Sequence, residues 1–148
     1  MAKPVTRRGT KLRILQGNGG GSETFTAYCA LNAKTVRFQS QTNDFYVPDC
    51  DTPDAPAWRE IVKSGRSMTV SGSGILNMTD LTRYQAAYND DDVLNYRVEL
   101  DGTNTVAGGH WSAPFAVTEL EVTGNDEDLV QVSITLESNG AVVWVPAT

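Results

Sequence analysis

The sequence predicts a mainly β protein, a β-sandwich or barrel-like subunit with one flanking α-helix at about residues 79–89. Three observations predict it. Seven or eight segments of alternating apolar and polar residues follow one another at short spacing, divided by Gly, Asn and Asp clusters. Only one stretch carries helical periodicity. The third is Trp58 to Leu76, WREIVKSGRSMTVSGSGIL. It starts on an aromatic-basic-acidic corner, Trp58-Arg59-Glu60, turns at Gly65, and runs on as a strand. Ser67, Thr69, Ser71 and Ser73 occupy one face of that strand, and Met68 and Val70 the other. A strand with small hydroxyls on one side and apolar groups on the other is half buried. Nothing reactive sits on it, which points to a protein that assembles rather than catalyses.

The elements follow in order. Lys11 to Leu15 is the first strand, QGNGGGS (Gln16 to Ser22) a hairpin loop, and Phe25 to Ala30 the returning strand. Thr35 to Thr42 alternates cleanly, with Val36 and Phe38 on one side and Arg37, Gln39 and Gln41 on the other. Asn43 to Ser64 (with Gly65, residues 43–65) reads as a long loop holding Phe45, Tyr46, three prolines and the Trp58 corner. An excursion of that length in a small domain is commonly functional, and its aromatics argue against disorder. Thr79 caps the predicted helix, Asp80 suits its first turn, and Leu81, Tyr84 and Tyr88 share a face. Asp90 to Asp92 end it. Leu94 to Leu100 and Phe115 to Val122 are strands, the latter with Val117, Glu119 and Glu121 on one face. Leu129 to Glu137 places Val130, Val132, Ile134 and Leu136 inward and Gln131, Ser133, Thr135 and Glu137 outward. Asn139-Gly140 is a hairpin turn signal, and Ala141 to Val145 closes the sheet.

With 148 residues, the chain reads as an N-terminal arm (1–10) and a single domain (11–148). A domain of this size buries about 70% of its unfolded surface. The longest apolar run, Ala141 to Val145, is far short of a membrane span, and MAKPVTRRG lacks the apolar stretch of a secretory signal, so no membrane partner is expected. The sequon at Asn77-Met78-Thr79 is then read as chance. Cys29 and Cys50 are read as two unrelated thiols in a reducing cytoplasm. The charge is lopsided. Lys3, Arg7, Arg8, Lys11 and Arg13 are five of twelve bases, and no acid lies among the first thirteen residues. From Val98 onward there are eight acids and no Lys or Arg. A basic arm on an acidic body suits self-association, the arm of one copy on the body of the next, and equally a disordered, solvated terminus; it suits phosphate binding poorly.

No constellation carries catalysis. QGNGGGS lacks the Gly-Lys-Ser/Thr ending of a phosphate loop, and no helix follows it. His110 is the single histidine, with no evident nucleophile and carboxylate beside it, and the Cys and His spacing fits no zinc site. Asp49, Asp51 and Asp54, like Asp90 to Asp92, lack the pattern of a calcium loop. No cofactor is expected. Phe45, Tyr46 and Trp58 have two readings: a satellite hydrophobic cluster, or anchors for a partner.

The chain resembles the major tail tube proteins of long-tailed phages and gene transfer agents. The resemblance rests on Trp58-Arg59-Glu60, Gly65, Ser67 and Ser71-Gly72-Ser73-Gly74 ending in Ile75, on the Gly9-x-x-Leu12 strand start, and on the Pro114-Phe115 strand with closing strands after it. It extends over essentially the whole chain and departs from the family pattern in the insert from Val47 to Ala57. It implies a virion structural protein without enzymatic activity, made in the host cytoplasm and resident in the tail. Hexameric rings of it stack into a bare tube, inner strands join into one β-barrel around a lumen, and DNA passes through without specific binding. The implied partners are further copies and the tape measure, distal tail and terminator proteins. The expected lumen face is Arg37, Gln39, Gln41, Ser67, Thr69, Ser71, Ser73, Glu119 and Glu121, with Gln131, Ser133 and Thr135 as a fourth strand. The expected contacts between subunits and rings are Lys3, Arg7, Arg8, Phe45, Tyr46, Trp58, Arg59 and Glu60. The alternative is a small β-sandwich carbohydrate-binding module with Tyr46, Trp58 and Trp111 as its stacking platform. A small hydrolase using clustered carboxylates is a weaker third reading.

Overall fold

The computed structural model describes residues 2–18, 23–90 and 94–147. A short 3-10 turn, Gly9–Lys11, leads into β1 (Leu12–Gly17), β2 (Phe25–Ala27), β3 (Leu31–Val47) and β4 (Trp58–Ile75). Then come α1 (Leu81–Asn89), β5 (Leu94–Leu100), β6 (Gly109–Thr123), β7 (Gln131–Ser138) and β8 (Val143–Pro146). All described pairings are antiparallel and belong to one sheet, in the order β2-β1-β5-β6-β7-β4-β3, with β8 also on β6. The protein is mainly β as predicted, with one α-helix among the described residues packed against the sheet.

The sheet curls so that its two halves face each other. Ile14 of β1 and Gly72 of β4 lie four strands apart in the order, yet a Cβ on Gly72 would sit 3.2 Å from the Ile14 Cδ1 and 3.1 Å from the Leu31 Cδ1. One core therefore collects Ile14, Tyr96 and Val98 from one half and Met68, Val70, Val132, Ile134 and Leu136 from the other. This explains Ser71-Gly72-Ser73-Gly74. The serines face away from the core, and the glycines admit the opposing layer. At Gly74 a Cβ would strike the Ala30 carbonyl oxygen, the group that accepts the Ile75 N–H at 3.1 Å.

The helix closes one side of the core through Tyr84, whose ring stacks on Tyr28 at 4.4 Å. The Tyr28 hydroxyl donates to Gln16 Oε1 at 2.9 Å and lies 3.1 Å from the Tyr96 hydroxyl. Burial pushes all three tyrosine hydroxyls above their ordinary pKa. The helical face differs from the predicted one: Ala87 is buried beside Tyr84, and Tyr88 is exposed. Thr79 is not the cap. Asp80 holds the N-cap position without a capping bond of its own, and its buried carboxylate accepts from the Cys29 N–H (3.0 Å), Asn77 Nδ2 (3.3 Å) and Arg83 Nη1 (3.1 Å). It ties the helix start, through Arg83, to the β2–β3 connection at Cys29.

Four further expectations are corrected. Residues 43–65 are not a loop. Asn43 to Val47 and Trp58 to Gly65 continue β3 and β4 as a two-stranded ribbon, and the connection is 48–57. Gly65 is no turn. The register slips there, Gln41 opposing Gly65 and Thr42 opposing Lys63, so Ser64 is a bulge residue. Asn139-Gly140 makes no hairpin. β7 and β8 run in the same direction along β6, and Gly140, at φ 132°, is a jog between them. Val130 lies outside β7 and is exposed, although its carbonyl accepts the Leu76 N–H at 2.8 Å. Four residues of the QGNGGGS loop, 19–22, and Asp91 and Asp92 lie outside the described residues.

Candidate functional site

The register gathers the expected polar face residue by residue. Cross-strand partners present their side chains on the same side of a sheet. Arg37, Thr69 and Glu137 form one row across β3, β4 and β7. Thr35, Ser71, Thr135 and Glu119 form the next, now reaching β6, and Ala33, Ser73, Ser133 and Glu121 the one after. Gln39 opposes Ser67, Gln41 opposes Gly65, and Gln131 opposes Ile75 and Thr123. All twelve residues read from the sequence as one face do share a face. Two members were passed over, Thr35 and Glu137, though extending the same period-two pattern by one step reaches both. The alternation misled at Val117. A register shift between Val117 and Glu119 turns Val117 to the core side opposite Leu136, while Glu119 and Glu121 stay on the polar side.

This face carries three acids, Glu119, Glu121 and Glu137, against one base, Arg37; the rest is hydroxyl and amide apart from small or terminal apolar groups. Arg37 makes no ion pair among the described residues. The four-stranded sector that bears the face has two open edges. Among the described residues, β3 ends the strand order and pairs only with β4. Residues 116–123 of β6 pair, among the described residues, only with β7, because the ladder with β5 ends at Leu94 opposite Phe115. An unpaired edge offers a row of N–H and C=O groups to another strand.

The ribbon has two chemically distinct faces. Val47 opposes Trp58, Phe45 opposes Glu60, and Asn43 opposes Val62. That face is apolar around one carboxylate, with Phe45 53% and Trp58 87% exposed. Tyr46 opposes Arg59, Asp44 opposes Ile61, and Thr42 opposes Lys63, giving a charged face on the other side. Tyr46 and Trp58 thus point in opposite directions. Trp111, the third member of the imagined glycan platform, sits elsewhere, between Phe38 (5.6 Å) and Trp144 (4.8 Å). No shared stacking surface forms from those three rings. Phe38, expected inward, is on the core side of β3 but 57% exposed, at the open mouth of the sandwich. It lines a groove of about 570 Å³ with Arg66, Met68 and Val142.

The N-terminal arm is partly held by its own subunit. Arg7 pairs with the buried Asp101 and donates to the Val106 carbonyl at 2.8 Å, and Arg13 lies 4.0 Å from Glu99. Arg7 is thus engaged within its own subunit. Lys3 and Arg8 make no ion pair among the described residues. His110 sits in β6 opposite Glu99 and Val145, its pKa lowered by burial and by Arg97. Cys29 and Cys50 are exposed thiols. Among the described residues no three His, Cys, Asp or Glu converge as metal ligands, and no helix is long and apolar enough to cross a membrane.

The family model for phage tail tube protein matches residues 7–144. No curated protein matches the chain. Among solved structures it is similar to a chain of the tail of an empty gene transfer agent particle, solved with C6 symmetry. The identity is 22% and the TM-score 0.78, over 95% of this chain and 99% of that one. It is similar to a chain of the native gene transfer agent virion at 21% identity and TM-score 0.75, over 95% and 99%. It also matches the SPP1 tail tube at 12% identity and TM-score 0.68, over 94% of this chain and 78% of that one.

Proposed function

We propose, from the premise that this chain belongs to the phage tail tube protein family, that it is the repeating subunit of a tube that conducts DNA. Tail tube proteins are structural components of the tail and not enzymes. The observation that carries the finer reading is the sector β6-β7-β4-β3, with a polar face and an unpaired edge on either side. In a closed ring each subunit meets its neighbours through two different surfaces. The β3 edge of one copy adding to the 116–123 edge of the next meets that requirement, through main-chain bonds.

The sixfold symmetry of the gene transfer agent tail sets the scale. Six four-stranded sectors make a barrel of twenty-four strands. At about 4.8 Å between strands its backbone diameter is roughly 37 Å untilted, and roughly 48 Å at a tilt of about 40°. A DNA duplex fits inside such a channel when its lining side chains are small. Serine, threonine and glutamine bind phosphate weakly and exchange readily with water. Glu119, Glu121 and Glu137 repel phosphate, whereas each added base would hold it by releasing counterions. Arg37 is the exception on this wall. Rings stack through the ribbon and through Lys3 and Arg8, and the tube ends meet the tape measure, distal tail and terminator proteins.

The test is negative-stain microscopy of the purified chain over a concentration series, with hydrogen exchange before and after assembly. Hollow tubes are expected, with new amide protection along the β3 edge and residues 116–123. Tubes in which those two edges exchange as fast as in the monomer refute edge pairing.

A further inference from the structure

The apolar face of the ribbon and the groove at the sandwich mouth are both unpartnered, and each carries one uncompensated charge of opposite sign. On the ribbon, Phe45, Val47, Trp58 and Val62 surround Glu60. In the groove, Phe38, Met68 and Val142 surround Arg66, with Trp111 packed behind Phe38. Neither Glu60 nor Arg66 joins an ion pair among the described residues.

The ribbon cannot fill the groove of its own chain. Glu60 lies six residues along β4 from Arg66, about 20 Å away at roughly 3.3 Å per residue. Folding back would break a ladder that is continuous from Val36↔Val70 to Val47↔Trp58 apart from the single bulge at Ser64. The occupant has to come from another molecule. The ribbon carries Glu60 about 20 Å along the strand direction away from its own groove, so the partner is a copy displaced along that direction.

We propose that the apolar face of each ribbon seats in the Phe38–Arg66 groove of another copy, with Trp58 and Phe45 filling it and Glu60 paired to Arg66. This contact rests on the tail tube reading and adds the partner surface for the ribbon. It also accounts for Phe38 and Trp58 standing exposed in the isolated chain, since large exposed apolar patches mark interaction sites.

A charge exchange tests it. Glu60→Arg, Arg66→Glu and the double variant are purified as full-length chains, and the critical concentration for tube formation is measured by sedimentation and microscopy. Charge pairs buried at interfaces couple strongly, so each single variant is expected to raise the critical concentration about tenfold or more. The double variant is expected to return to within about threefold of the wild type, because the pair is re-formed with its signs exchanged. Thermal melting of the monomers should be unchanged, since both residues are exposed. Single variants that assemble like the wild type, or a double variant no better than the worse single one, overturn the contact while leaving the tube reading intact. A wild-type chain that forms no rings or tubes under any condition overturns the tube reading, and the contact with it.

Discussion

Trp58→Ala should separate assembly from folding. Trp58 is 87% exposed and faces solvent across from Val47 at the far end of the ribbon. Its removal deletes no core contact, so monomer stability should change by less than about 0.5 kcal/mol, a melting shift of a degree or two. Assembly should respond differently. A tryptophan brings about 150–250 Å² to an interface. Taking about 200 Å² at about 25 cal/mol per Å² gives a ceiling near 5 kcal/mol. Ordering of side chains and imperfect fit reduce that, and truncating a tryptophan anchor commonly costs at least about 2 kcal/mol. Even the lower figure raises the dissociation constant roughly 30-fold. The assay is a pair of measurements on one preparation: monomer melting by circular dichroism, and critical concentration by sedimentation with electron microscopy of the pellet. Tubes of normal length at the wild-type critical concentration would refute the anchor. A melting temperature lowered by many degrees would refute the premise that the ribbon is independent of the core.

Other expectations follow from the same geometry. Glu119→Lys with Glu121→Lys should give tubes that retain short duplex DNA, released as salt rises, where wild-type tubes retain none; a filter-retention assay across ionic strength reads this. Gly74→Ala should destabilise the monomer by about 1–3 kcal/mol, because its Cβ meets the Ala30 backbone. Gly72→Ala should cost less than about 1 kcal/mol, because its Cβ meets only the methyl ends of Leu31 and Ile14, and urea unfolding compares the two. The buried hydroxyls of Tyr28, Tyr84 and Tyr96, with pKa values raised by burial, make stability pH-dependent. The unfolded chain loses these protons from about pH 10, where the folded chain still keeps them. Stability should therefore be level below that pH and fall as pH rises beyond it, with unfolding and tyrosinate absorbance appearing together.

The legible parts of the sequence were those where a local pattern carries a physical constraint. Alternation over Ser67 to Ser73 and Gln131 to Thr135 gave the polar face directly, because a strand has no freedom to place successive side chains on one side. The parity failed where a bulge intervenes, at Val117 to Glu119, since nothing in those side chains marks an extra residue. The ribbon's alternation separates two exposed faces rather than core from solvent, so in sequence Phe45-Tyr46-Val47 resembles an irregular loop. Asn139-Gly140 carries a hairpin signal, but Gly140 spends its φ of 132° on a jog along β6. Asp80 looked like a first-turn acid, while its three partners lie at Cys29, Asn77 and Arg83, the first fifty-one positions away. The Phe38–Trp111–Trp144 cluster joins three strands distant in sequence, and only the topology brings it together.

The central claim is that the serine, threonine and glutamate face of β3, β4, β7 and β6 lines a channel closed by strand pairing between copies. Helical reconstruction by cryo-electron microscopy of the assembled tube tests it most directly. The expected reconstruction has the β3 edge of one copy hydrogen-bonded to residues 116–123 of the next, with Ser71, Thr135 and Glu119 facing the central channel. A tube whose β3 edge is unpaired, or in which that row of side chains faces the outer surface, would contradict it.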